Sequence, residues 1–445
     1  MKFGNYFLAC VCILFTAGIT SAQTANVAEP QDEATPKSPT PLQKAKPNAV
    51  PSLQDALSRV LKNPSKQMEL PKVTEEESDS PYVKGKIRYL SLRHAPADVH
   101  ANLNASGIAA GTNAQEAELS ATSTATLTPS VMPTFRRSFK FLGAEFPFEM
   151  IGTDPAKGSA VTKVPVKIIP VRANFGDGIE LSASQTACGD TQSPISRTLK
   201  SPLFQNFPFR VGNTFVGNTQ YIDAFQRANF WTDVKTKAPN YHVLLSPSLS
   251  GTFTITPNPE TSAALVGPCT FLAVIDLPEF DQQAQNLIKT LNVPQGTLPL
   301  FVTYNTVFTL GGSCCVLGYH SVTFNSLEHP YAVAAYVDAG TFTKPIEDIH
   351  TLTHELGEWL DDPVIRSLVP SWGNVGQVQG GCSLNLEVGD AVTGVAFEVT
   401  MNGFTYHPED LTFLPFFSRE TPSSSVNGQY SFLNSFASAP PICGQ

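Results

Sequence analysis

The chain has 445 residues, a formal net charge of -9 and a sequence pI near 5.4, with 15% charged and 42% hydrophobic residues. An acidic chain without basic runs argues against nucleic acid as a partner, and the length allows two domains with tails.

In chain order, Met1–Ala22 reads as a secretory signal. Lys2 supplies the positive start, Phe7 to Ala17 the apolar stretch, and Thr20-Ser21-Ala22 small residues for cleavage. The apolar run is too short to span a bilayer, and no other segment approaches a membrane span, so the expected location is secreted or periplasmic. Six cysteines remain after the signal: Cys188, Cys269, Cys314, Cys315, Cys382 and Cys443. An even number in an exported chain predicts disulfides, with Cys382 among the bridged residues; thiolate metal binding is the weaker reading because no Cys-x-x-Cys spacing occurs.

Residues 23–134 read as a low-complexity, largely disordered linker region too polar to bury a core. Within it, Ser52 to Leu61 has the pattern of a short, marginal helix, and Tyr82 to Arg93 has strand character. Residues 135–296 form a β-rich part of the globular region. Lys163 to Val171 is β-rich with prolines suited to an edge strand, Thr219 to Trp231 and Phe280 to Leu291 are helical, and Phe271 to Leu277 is a buried strand. Residues 297–445 contain the remaining signals: strands over Leu298–Leu310 and Tyr331–Val337, a helix over Ile349–Asp362 stopped by Pro363, and a hairpin around Asn402-Gly403. The mixture predicts an α+β fold.

The helix around Ile349–Asp362 carries the chemistry. Ile349, Leu352, Leu356 and Leu360 fall on one face, and His350, His354 and Glu358 form a column roughly opposite. Eight residues at about 1.5 Å rise separate His350 from Glu358 by about 12 Å, so only a neighbouring pair can share an ion. With His354 and Glu358 as the pair, Glu355 directly follows the first ligand, as in the His-Glu-x-x-His zinc helix, and zinc accepts carboxylate oxygen in addition to imidazole nitrogen. A His350/His354 pairing is the rival. A third ligand must come from elsewhere, and Glu387 and Asp390 are the candidates. His320, in Gly318-Tyr319-His320, reads as a hydrogen-bonded surface residue ahead of one at the cleft edge, and Tyr406-His407 at the hairpin end as packing ahead of an oxyanion donor.

A His-Glu-x-x-ligand helix followed by a later Glu with a nearby Asp resembles the zincin metallopeptidases, in particular the branch whose third ligand is glutamate. The string His354-Glu355-x-x-Glu358-x-x-x-Asp362-Pro363, followed by Glu387-x-x-Asp390, also resembles the exordium or phosphate-induced family and related bacterial secreted proteins, over roughly Leu298 to Asp390. The resemblance implies a zincin-like architecture and export. It implies Zn2+ held by His354, Glu358 and Glu387, Glu355 as general base, and Asp390 as an outer acceptor behind a ligand histidine. The expected activity is a zinc-dependent hydrolase acting on peptide or protein substrates. The alternative is a secreted binding or cell-surface interaction protein that keeps the fold without turnover.

Overall fold

The computed structural model describes residues 79–85, 87–93, 132–186, 188–325, 327–373 and 382–443. The expected signal and the short helix at Ser52–Leu61 lie outside them.

The strands, in chain order, begin with β1 (Arg88–Arg93), the hairpin β2 (Thr134–Phe141) and β3 (Ala144–Ile151), then β4 (Val161–Gly176) and β5 (Ile179–Ser182). A second hairpin, β6 (Phe207–Val211) and β7 (Thr214–Thr219), precedes β8 (His242–Leu249), β9 (Phe253–Ile255), β10 (Ala263–Val266) and β11 (Phe271–Asp276). Next come β12 (Leu298–Tyr304), β13 (Thr306–Leu310), β14 (Ser313–Asn325) and β15 (Leu327–Tyr336). Two short pairs complete the series: β16 (Leu368–Gly373) with β17 (Cys382–Asn385), and β18 (Val399–Met401) with β19 (Phe404–Tyr406).

One mixed sheet of eleven strands dominates, in the order β10-β11-β13-β14-β15-β12-β4-β5, with β1 added to β14 and with β8 and β9 added to β4. Its far ends approach each other. β5 touches β11 and β12, and the Cys188–Cys269 disulfide ties the chain just beyond β5 to the turn just before β11. The sheet is therefore nearly closed and barrel-like. Among the described residues strand outweighs helix, 41% against 20%, which corrects the expected α+β, zincin-like architecture. The physical reason lies in strands such as β12, where all seven residues are buried. Strands covered on both faces read as continuous apolar runs, so their number and their shared sheet leave no alternating signature.

A second correction concerns β4. Pro165 and Pro170 pointed to an edge, yet β4 runs between β12 and β8. Each proline removes one donor, and the sixteen-residue strand keeps the remaining ladder. The predicted strand over Leu298–Leu310 is two strands. It breaks at Asn305, whose φ is 42°, so that β12 joins β15 and β4 while β13 joins β11 and β14. The Asn402-Gly403 hairpin is as predicted, with φ 52° and 74° at the two turn residues.

The motif helix spans His350–Asp361 and lies across β14 and β15. Asp362 closes it with φ -143°, as Pro363 requires. Ile349, Leu352, Leu356 and Leu360 enter the main core with Trp359. The opposite face is buried as well, every helix residue being shielded from solvent.

All six expected cysteines pair: Cys188–Cys269, Cys314–Cys315 and Cys382–Cys443. The last spans 61 residues and joins β17 to the C-terminal segment, where Ser371 and Cys443 also exchange hydrogen bonds. Restricting an unfolded loop of that length contributes up to about 4 kcal/mol in the chain-entropy account. Replacing Cys382 and Cys443 together with serine is expected to lower stability by about 2–4 kcal/mol in denaturant unfolding; a change below about 0.5 kcal/mol would count against the bridge as a structural staple.

Candidate metal centre

Four parts of the fold converge on one buried cluster. The helix supplies His354, Glu355 and Glu358, and β14 supplies His320. The turn after β17 supplies Glu387 and Asp390, and β1 supplies Tyr89 and Ser91. His320, His354 and Glu355 are fully shielded, and Glu358, Glu387 and Asp390 retain 1%, 3% and 8% of their surface.

His354 stands at the centre. Its Nε2 lies 3.0 Å from Glu358 Oε1 and 3.6 Å from Asp390 Oδ1, yet makes no hydrogen bond. Ligand atoms about 2.0–2.1 Å from a tetrahedral zinc ion sit roughly 3.3 Å apart, so this spacing suits atoms facing a common ion. The other ring nitrogen, Nδ1, is 2.5 Å from Glu409 Oε2. In the neutral ring that carboxylate would accept Nδ1–H and leave the Nε2 lone pair directed at the cluster, the arrangement by which an outer carboxylate fixes the tautomer of a ligand histidine. Tyr89 stacks on the same ring at 3.6 Å between centroids and holds its plane.

On the other side, His320 Nδ1 is 3.5 Å from both Glu355 Oε2 and Glu358 Oε2. Neither ring nitrogen of His320, neither oxygen of Glu355, nor Oε2 of Glu387 has a hydrogen-bond partner. Glu387 Oε1 accepts from Ser91 Oγ. Orphaned polar atoms at this depth each cost about 1–3 kcal/mol unless something else satisfies them.

Charge points the same way. Burial pushes the Glu355 carboxyl up to about 7, against the pull of His320 beside it. Burial, reinforced by Glu358 and Asp390, drives Glu387 well above the usual carboxylate range. Burial acts on Glu358 too, but the neighbouring His354 and His320 outweigh it and hold that carboxyl well below its ordinary value. The carboxylates outnumber the histidines of the cluster, and burial resists ionising all of them together unless a cation shares the site.

Two glycines make room for this packing. A Cβ on Gly318 of β14 would sit 2.5 Å from Glu355 Oε1, and one on Gly389 would overlap the His354 ring. Gly389 has φ -86°, so close approach alone, without unusual backbone geometry, demands glycine there. Gly389→Ala is expected to cost about 1–3 kcal/mol by overpacking and to displace His354. Unchanged thermal unfolding and unchanged metal content together would refute that.

The structure brings together all five residues singled out from the sequence: His354, Glu355, Glu358, Glu387 and Asp390. Asp390, expected as an outer acceptor, groups with His354 and Glu358, their ligand atoms within 4.8 Å of one another. Glu387 groups instead with His320 and Glu358. The rival ligand His350 lies on the far side of Glu409, with Nδ1 3.3 Å from the Tyr89 hydroxyl and Nε2 3.5 Å from Glu409 Oε1, outside both groups. Tyr406 donates to the Arg197 carbonyl, and His407 pairs with Asp348 at 2.7 Å, so neither hairpin residue belongs to the cluster.

Sequence reasoning missed Glu409, Tyr89 and Ser91 and placed His320 at the surface. A histidine in the middle of Val316 to Val322 on an apolar strand was the available signal for His320; Glu409 lies 55 residues from His354 and carries no local signal. No family model, curated protein or solved structure matches this chain.

Proposed function

We propose that this chain is an exported metal-dependent hydrolase acting on peptide bonds. The observation that carries the proposal is the convergence of His354 Nε2, Glu358 Oε1 and Asp390 Oδ1 at ligand spacing, one residue away from a buried Glu355 neither of whose oxygens is hydrogen-bonded. Nitrogen and carboxylate donors of this kind suit zinc, which when bound polarises a carbonyl and acidifies water. His354, Glu358 and Asp390 hold the ion in this reading, with Glu387 alongside. Glu409 orients His354. Glu355, whose ordinary pKa is raised toward neutrality by burial, takes a proton from the attacking water and returns it to the leaving amine. The resemblance to zincins is thus one of site chemistry, carried on a different scaffold. The export reading is supported by the three disulfides and by the sequence of Met1–Ala22; among the described residues no helix is long and apolar enough to cross a membrane.

One observation favours a second reading. β1 lies over the cluster, Tyr89 against His354 and Ser91 on Glu387, so an ion there could serve structure alone in a secreted binding protein. Hydrolysis separates the two. The zinc-supplied full chain, incubated with an unfolded protein substrate, is expected to release new amino termini, to stop when a chelator is added, and to resume when zinc is restored. A chain that retains its ion and cleaves nothing supports the binding-protein reading and overturns the hydrolase.

A further inference from the structure

We propose that the cluster is a two-ion centre, with Glu358 bridging a second divalent cation held by His320 and Glu387. The inference rests on reading the cluster as a metal site, and it adds a ligand set that the motif helix alone does not contain. Two groups of ligand atoms are present, His354-Glu358-Asp390 and His320-Glu358-Glu387, each with its atoms within 4.8 Å of one another. They share only Glu358, and among the described residues no such group contains both histidines.

The bridging carboxylate divides its oxygens between the two groups. Oε1 faces His354 at 3.0 Å and Oε2 faces His320 at 3.5 Å. A carboxylate presenting one oxygen to each of two donor sets is suited to join two ions. On the second side the donors lack hydrogen bonds: His320 is fully buried with neither ring nitrogen hydrogen-bonded, Nδ1 lying 3.5 Å from Glu355 and Glu358, and Glu387 Oε2 has no hydrogen bond either. An imidazole with neither nitrogen hydrogen-bonded at that depth is costly as a packing residue and natural as a ligand.

Glu355, Glu358, Glu387 and Asp390 gather here, with Glu409 behind His354, around two histidines that coordinate as neutral rings. The mixed imidazole and carboxylate donors select first-row transition ions such as zinc or manganese over calcium or magnesium.

The rival account makes His320 an imidazolium counter-ion between Glu355 and Glu358, with one metal ion beside it. Manganese distinguishes them in the wild-type full chain. Stripped protein dialysed against Mn2+ is expected to hold two ions per chain and to give the broad multiline electron paramagnetic resonance spectrum of an exchange-coupled pair. His320→Ala is expected to hold one ion with the simple six-line spectrum of isolated manganese. One ion per chain with an isolated spectrum in the wild type overturns the second site and leaves the single-ion reading intact. No bound manganese, with none bound when zinc is offered instead, overturns both. Because the decisive spectrum is that of the wild type, the test survives a His320 variant that fails to fold.

Discussion

Glu358→Ala is expected to abolish metal binding altogether, the largest single effect of any substitution in the cluster. Its carboxylate lies within ligand spacing of His354, Asp390, His320 and Glu387, so removal takes a donor from both groups at once. Loss of an outer partner of a metal site costs roughly 10–100-fold in affinity, and loss of a direct ligand is larger, on the order of 10³-fold or more. Equilibrium dialysis against zinc measures this. His350→Ala, outside both groups, is the matched control and is expected to keep its metal. Retention by Glu358→Ala with loss in His350→Ala would reverse the assignment and restore the pairing of the two histidines on successive turns of the helix.

The second large effect is kinetic. Glu355→Gln preserves volume and leaves the His354, Glu358 and Asp390 donors in place, so zinc content and unfolding behaviour are expected to match the wild type. Hydrolysis is expected to fall by about 10²–10⁴-fold, the range that a positioned general base contributes. The amide cannot accept the proton that the carboxylate accepts. An unchanged rate would remove Glu355 from the chemistry. A lost ion would instead make Glu355 a ligand, a role its 3.5 Å approach to His320 makes geometrically accessible.

The parts of this molecule that were legible in the sequence are those set by local periodicity. The motif helix follows from apolar residues at Ile349, Leu352, Leu356 and Leu360, and it ends where Pro363 demands. The hairpin follows from Asn402-Gly403, and the pairing of Cys382 from an even set of cysteines. What stayed hidden depends on contacts distant in the chain. β1 is a six-residue strand beyond a polar stretch, and only its parallel pairing with β14 places Ser91 opposite His320 and Tyr89 on His354. Glu409 reaches His354 because the chain after the last hairpin folds back onto the helix, with the Glu409 backbone N–H donating to Thr353 Oγ1. The near closure of the sheet depends on β5 meeting β11, strands about ninety residues apart in sequence, and such pairing leaves no trace in either strand alone.

Elemental analysis of the purified full chain, supplied with zinc and then dialysed free of excess ion, tests the central claim most directly. A centre built from His354, Glu358 and the Glu387–Asp390 turn predicts at least one tightly held divalent ion per chain. A chain with native-like unfolding that retains none would contradict the account and leave these residues as a buried acidic network satisfied in some other way.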